Sequence, residues 1–475
     1  MAPREHSRRQ VIGALGTAGV VGLAGCTGGD GGDGGDGGDG GDGTTEGGMD
    51  TTTEGGMTTT DGASGTVRIG VLQPTSGDLQ YYGQQALWGL YQGFDYKSEE
   101  SFTPEATSGT KSVTVGDVDY ELLVRDTQLN PDTAQTLATN LVTSENVDLL
   151  VGCTSSASAS RVATTVTPQA NVPTIVGPAA SAGVTASSET CSENLFRASE
   201  NTAMDARSGG RYVAENTDVS SVYLFGADYS FGRAVVNNYR SVLEAQGVEI
   251  VGERFVESGY SEWQGLVDNA EEAGAEGIVA GFTVSTLPQI FRTFLNGDYS
   301  YRVFGGFATR ITVGIIGNTL QSVLGEPLTE EKLSGLEVGP FTTRYHWNQY
   351  DNPINQSFVE GYTGAYGSVP DLFTSGLFTT ASAVVQGVES AGSTEGADIA
   401  NALRGMTVTD TPKGENGYTF QGYNNQARSE MTVAGVALND EDNWGAAIKP
   451  TEPIARIGAD RTTIPADSSE MGCSL

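Results

Sequence analysis

From Thr66 onward, short apolar runs alternate with stretches of helical periodicity, and few architectures accept that order. Val67-Arg68-Ile69-Gly70-Val71-Leu72 reads as a strand, Pro74-Thr75-Ser76-Gly77 as a turn, and 82–96 as a helix. Residues 120–124 form the next strand. Asn130-Pro131 then breaks the chain, and Asp132 is placed to cap a helix in which Ala134, Leu137, Ala138, Leu141 and Val142 recur at helical spacing. Residues 147–152 and 172–176 are apolar enough to be buried strands. The rhythm repeats, with strands at 219–225, 248–254, 277–282 and 301–304 and helices at 233–246, 263–273 and 287–295. Parallel strands need helical crossovers of this length, so the pattern predicts an α/β fold with mostly parallel sheets and flanking helices. Two successive units of similar size predict two lobes. Ligands of open parallel sheets bind beyond the carboxyl ends of the strands, which puts the expected site in a cleft between the lobes.

Ahead of this body, Arg8-Arg9 precede about fifteen apolar or small residues that end in Leu23-Ala24-Gly25-Cys26. A charged start, a short apolar run and small residues before a cleavage point form a secretory signal; the paired arginines resemble a twin-arginine signal and Leu-Ala-Gly-Cys a lipobox. The prediction is a signal peptide over 1–25 and lipid on the sulfur of Cys26, which tethers the mature chain to the outer face of the cytoplasmic membrane. A transmembrane helix is disfavoured, because the run is glycine-rich and shorter than the roughly 20 residues that span a bilayer. Gly-Gly-Asp repeats and Thr/Glu/Gly-rich chain fill 26–65 and offer too little apolar surface to offset ordering entropy. A disordered tether with a mean reach of about 35 Å is expected. A calcium-binding β-roll would need longer repeats with a regularly placed apolar residue.

The formal charge is −34, from 59 acidic and 25 basic residues, and only five of the latter are lysines. Nucleic acid is excluded as a partner, because phosphate binding needs a basic footprint. Acidity spread along the whole chain resembles proteins of extreme halophiles, where a Debye length of about 3 Å at 1 M salt screens self-repulsion. Cys153, Cys191 and Cys473 follow Cys26; outside the membrane two of the three can pair, leaving one thiol free. Their spacing fits no zinc site, and once the signal is removed His346 is the single histidine. That argues against a Ser-His hydrolase and a histidine-ligated metal, and no cofactor is expected.

Several segments resemble a known family in order and spacing. They are Ile69-Gly70-Val71-Leu72, Ser76-Gly77, Tyr82-Gly83, Asp126-Thr127-Gln128, Gly152-Cys153-Thr154-Ser155-Ser156, Phe196-Arg197 and Asp228-Tyr229-Ser230-Phe231-Gly232. Later segments agree: Trp347, Asn352-Pro353, Phe358, Tyr362, a helix over 381–392, and Gly417-Tyr418-Thr419-Phe420 before Asn425-Gln426. Together they resemble the type I solute-binding proteins of ABC importers, nearest the leucine/isoleucine/valine-binding branch. The resemblance implies a Venus-flytrap fold whose lobes are joined by three crossings, near 196–197, 338–341 and 417–420. Lobe 1 then combines 66–197 with 341–416, lobe 2 combines 198–340 with 417–460, and 461–475 is a tail. It implies a monomer that closes on a small solute and delivers it to a membrane permease.

Thr154-Ser155-Ser156 follows a buried strand and precedes an expected helix at Ala157, so hydroxyls and free N–H groups at a helix start form a receptor for a carboxylate. Plain N-capping is the alternative for either serine. By resemblance, Ser155 or Ser156 takes the ligand carboxylate, Ala179 and Ser181 form a second contact loop, and Tyr82, or Tyr81 if the register slips, is an aromatic wall. From lobe 2, Tyr229 closes over the ligand or packs its loop, and Thr283 beside Phe282 occupies a contact position. Amino-acid-binding relatives place an acid after the strand at 301–304, where this chain reads Gly305-Gly306-Phe307-Ala308-Thr309-Arg310. Either another acid such as Asp228 pairs with a ligand ammonium, or the ligand is an amide, urea or carboxylate, and Arg310 suits an anion. Branched-chain or other small amino acids are placed first. A sensory receptor on the same fold is a rival reading. A serine amidase using Ser155 is another, but no motif places Lys111, Lys332 or His346 as its base, and no enzyme is expected.

Overall fold

The computed structural model describes residues 62–306, 309–415, 417–441 and 444–475, all within one unit, Gly62–Leu475. The expected signal peptide, Cys26 and the tether up to residue 61 lie outside them. Strands β1 (Gly65–Gln73), β2 (Gly109–Val115), β3 (Val118–Asp126), β4 (Leu149–Gly152), β5 (Thr174–Val176) and β6 (Leu195–Arg197) build one sheet in the order β2-β3-β1-β4-β5-β6. Neighbours run parallel except β2, an antiparallel edge on β3. The apolar pattern did not reveal β2 because Val113 alone of its residues is buried.

Helix α1 (Gln80–Lys97) lays Leu87, Leu90 and Phe94 on Val67, Ile69 and Val71 of β1. On the opposite face run α2 (Pro131–Thr143) and α3 (Ser156–Thr165). Gly70 lets α2 approach: a side chain there would stand 2.8 Å from Leu150 and 2.9 Å from Leu141. Asn130, not Asp132, caps α2, its side chain accepting the N–H groups of Asp132 and Thr133 at 2.9 and 3.0 Å. Pro131 takes the first helical position, where no N–H is needed, and so moves the cap upstream of itself.

The second sheet, β10-β9-β7-β8, is wholly parallel and contains β7 (Ser221–Ala227), β8 (Glu249–Val256), β9 (Gly277–Gly281) and β10 (Arg302–Phe304). Helix α4 (Ser230–Ala245) packs Val235, Val236, Tyr239 and Leu243 onto one face. Helices α5 (Gln264–Glu272), α6 (Leu287–Asn296) and α7 (Arg310–Leu324) supply Val267, Ile290, Phe291, Val313 and Ile316 to a separate core on the other.

After β11 (Phe341–Thr343) the chain returns to the first sheet through α8 (Pro353–Tyr366) and α9 (Leu372–Ala391); Leu377, Ala381, Val384 and Val388 of α9 join the core over β1. A small antiparallel sheet follows, β12 (Thr407–Val408), β13 (Tyr418–Phe420) and β14 (Ala427–Ser429). The third crossing was expected at 417–420. Tyr418 and Phe420 instead bury in the first core, Phe420 edge-on to Phe196 at 5.6 Å, and the chain leaves only between Ser429 and Met431. Strand β15 (Met431–Ala434) then pairs with β11, the hairpin β16 (Val436–Leu438) and β17 (Ile448–Pro450) packs on the second core, and β18 (Ala455–Ile457) pairs with β15.

Cys191 pairs with Cys473 and leaves Cys153 as a buried thiol, pushed up to about 12 by burial. The C-terminal segment is a strap. Gly472 and Cys473 donate their N–H groups to Ala186 of the first lobe, while Glu470 accepts from Arg207 at 2.7 Å and from the Ser241 hydroxyl in the second.

Candidate ligand-binding cleft

Strand β4 ends at Gly152, whose φ of 132° and 2.1 Å gap between an added Cβ and the Leu72 carbonyl admit glycine alone. The chain turns there into the loop before α3. Ser155 is the N-cap of that helix, its hydroxyl accepting the Ser158 N–H at 3.4 Å. Ahead of the capped Ser158, the N–H groups of Ser156 and Ala157 have no partner within the helix. Thr154 donates to Gln73 at 2.7 Å, and Gln73 donates to the Gly177 carbonyl at 3.0 Å. Ser156 Oγ accepts the Ser181 N–H at 3.1 Å, and the Ala179 N–H reaches the Cys153 carbonyl at 3.0 Å. The loops after β4 and β5 are thereby laced into one surface.

Arg197 lies beneath it with no exposure. Its guanidinium donates to the carbonyls of Ala179 (3.1 Å) and Ser181 (2.7 Å), to Thr185 Oγ1 (2.6 Å) and to Gln426 Oε1 (2.6 Å). No carboxylate is among these partners, and burial, with Arg344 nearby, holds its pKa down to about 9. The Ala179 carbonyl and the Ser156 hydroxyl, both expected at the ligand, are thus engaged inside the scaffold. Ser155 and Ser181 stay half-buried at its surface.

Tyr82 reaches across from α1. Its hydroxyl accepts the Val284 N–H at 3.2 Å, and its ring stacks on Phe373 at 4.6 Å. Burial pushes the Tyr82 hydroxyl up to about 12. Tyr229, the residue before α4, lies near Tyr82 and the Thr283 side chain, and burial raises its hydroxyl above the ordinary range. Ala180 packs in one cluster with Tyr229 and Phe231. Tyr82, Tyr229, Thr283 and the loop carrying Ser181 therefore meet where the carboxyl ends of the two sheets face each other. Tyr81 points elsewhere, under the guanidinium of Arg310.

Asp228, considered as a partner for an ammonium, is half exposed and paired with Arg233. The acid at this seam is Asp371, which sequence reasoning missed. It is fully buried, caps α9, and accepts the N–H groups of Phe373 (2.9 Å) and, from the other lobe, Arg310 (2.7 Å). Burial raises its carboxyl above the usual range, and Arg310 opposes that rise. The capping-box pattern Asp371-x-x-Thr374 before an apolar run was the available signal. Arg197 stood within a recognised segment, but nothing local reveals partners as distant as Gln426.

Two lobes, each a mostly parallel sheet with flanking helices, face each other with polar loops. The chain belongs to the periplasmic binding protein family, whose model matches residues 66–442. It is similar to the leucine-, isoleucine-, valine-, threonine- and alanine-binding protein of Pseudomonas aeruginosa, with 19% identity over 360 residues that cover 76% of this chain and 87% of that one. Among solved structures, the amino acid ABC transporter substrate-binding protein of Pseudomonas fluorescens Pf-5 superposes with a TM-score of 0.69 at 20% identity, covering 87% of this chain and 100% of that one. A solute-binding protein of Rhodopseudomonas palustris HaA2 in complex with p-hydroxybenzoic acid gives 0.67 at 18% identity, over 83% and 98%.

Proposed function

We propose that this protein captures a small carboxylate-bearing solute between its lobes and delivers it to an ABC permease, held to the membrane by lipid on Cys26. The observation that carries this reading is the hydroxyl-lined start of α3 and the Ser181 loop seated on a buried cation that has no carboxylate partner among the described residues. An anion at that surface is favoured by the helix start, the hydroxyls and the charge below. Ser155 and Ser181 take the carboxylate, Tyr82, Tyr229 and Thr283 close over the solute, and Ser156 and Ala179 hold the two loops in place. The lobes, 66–197 with 344–429 and 198–343 with 430–460, open and close about the crossings.

A branched-chain or other small amino acid is the first candidate, by similarity to the P. aeruginosa protein. The engagement of Asp228 with Arg233 and the absence of an acid in 305–310 favour a second, a carboxylate without an ammonium. Thermal unfolding against amino acids, amides, urea and carboxylates ranks these classes, because a ligand of the native state raises the midpoint. Ser155→Ala is expected to weaken the ligand so found by about 1–3 kcal/mol. Unchanged affinity would put the carboxylate elsewhere.

A further inference from the structure

A second groove, of about 210 Å³, opens where α1, the start of α7 and the loop before β17 meet. Tyr81 of the first lobe forms one wall; Arg310, Ile311, Ile315 and Trp444 of the second form the rest. Its lining shares no residue with the cleft described above: Tyr82, Ser155, Ser181, Tyr229 and Thr283 are all absent from it. Besides the Tyr81 hydroxyl, itself shielded without a hydrogen-bond partner, and the Asn318 amide, its polar side chains are the donors Arg310 and Trp444. The Arg310 guanidinium lies 5.0 Å from the centroid of the Tyr81 ring, and its Nε is shielded from water with no hydrogen-bond partner. Trp444 Nε1 is in the same condition. Asp371 takes the backbone N–H of Arg310, and among the described residues no carboxylate makes an ion pair with the guanidinium. Buried donors are nearly always satisfied in folded proteins, so two left open in one groove point to an acceptor that comes from outside.

We propose that this groove binds an aromatic monocarboxylate and that its occupation favours the closed protein. The carboxylate meets Arg310 and the Trp444 indole N–H, and the ring lies among Tyr81, Ile311 and Ile315. The two lobes each contribute a wall, so the groove exists in full only when they are together. A ligand that binds one state alone shifts the population toward it, and by linkage tightens any solute held in the main cleft.

Benzoate is the probe, added to the purified protein while tryptophan fluorescence and the thermal midpoint are followed. A saturable fluorescence change and a raised midpoint are expected. R310Q weakens the apparent affinity at least tenfold, R310K retains part of it because the charge remains, and W444F abolishes the fluorescence change while the midpoint shift survives in reduced form. Ser155→Ala leaves benzoate affinity within twofold. Loss of benzoate binding in Ser155→Ala with R310Q unaffected would assign benzoate to the main cleft and overturn the proposal. Absence of any saturable response from the folded protein overturns it equally. Failure of the main-cleft reading is seen separately, as unchanged affinity of Ser155→Ala for the solute found by the unfolding panel.

Discussion

Arg197 illustrates how much of the site depends on one side chain that never meets solvent. Its donors tie the Ala179 and Ser181 carbonyls to Gln426, a residue 229 positions away. Arg197→Met leaves these acceptors buried and unpaired, and the unfolding free energy in urea is expected to fall by about 3 kcal/mol. His346 carries a different liability. It has no exposure, neither ring nitrogen meets a geometric hydrogen-bond partner among the described residues, and the ring rests on Trp347 at 4.0 Å with Trp444 beyond at 6.1 Å. Burial lowers its pKa from 6.5 to about 3. Between those values the unfolded chain binds the proton and the native protein does not, so stability is complete above pH 6.5 and is lost as pH falls toward 3. The slope from this residue is at most about 1.4 kcal/mol per pH unit, read as the difference between wild type and His346→Phe in urea titrations at pH 7, 6 and 5. At this scale, the residues legible in the sequence were those with local signals. Ser155 announced itself by standing between a strand and a helix. Arg197 did not, because partners such as Gln426 come from distant segments, and the capping box of Asp371 marks a helix start without revealing its second partner, Arg310 of the other lobe.

Among the elements, α9 joins the fold to the seam. Its apolar face completes the core over β1, and its cap, Asp371, also receives the N–H of Arg310 at the start of α7. Asp371→Ala should cost about 1–2 kcal/mol of stability and loosen the contact between the lobes. Small-angle scattering of the unliganded variant is expected to show a larger radius of gyration than wild type. Asp371→Asn, a competent cap, should recover most of the stability; recovery by Ala as well would remove the cap from the account. The strands and helices of both lobes were legible because burial on one or both faces imposes a period on the sequence. Edge strand β2, exposed along most of its length, carries no such period. The third crossing was misplaced for a related reason, since alternation in 418–420 marks a strand and cannot say which lobe buries it.

For the whole molecule, a formal charge of −34 makes self-repulsion a term in stability. The unfolding midpoint is expected to rise with salt, most steeply where the Debye length contracts from about 30 Å at 0.01 M to about 10 Å at 0.1 M. A midpoint independent of salt would show that the acids are individually neutralised by local partners. Removing the disulfide by Cys191→Ser is expected to cost about 2–5 kcal/mol, whereas Cys153→Ala, which touches no disulfide, tests packing alone. The same bond has a mechanical meaning. Because Cys191 and Cys473 are 282 positions apart, they close a covalent ring that contains the entire second lobe and all three crossings. Tension applied to the chain from outside the ring cannot draw out the segment between Cys191 and Cys473. The second lobe is thus held inside a closed covalent loop, and a single protease nick within the ring leaves both fragments attached.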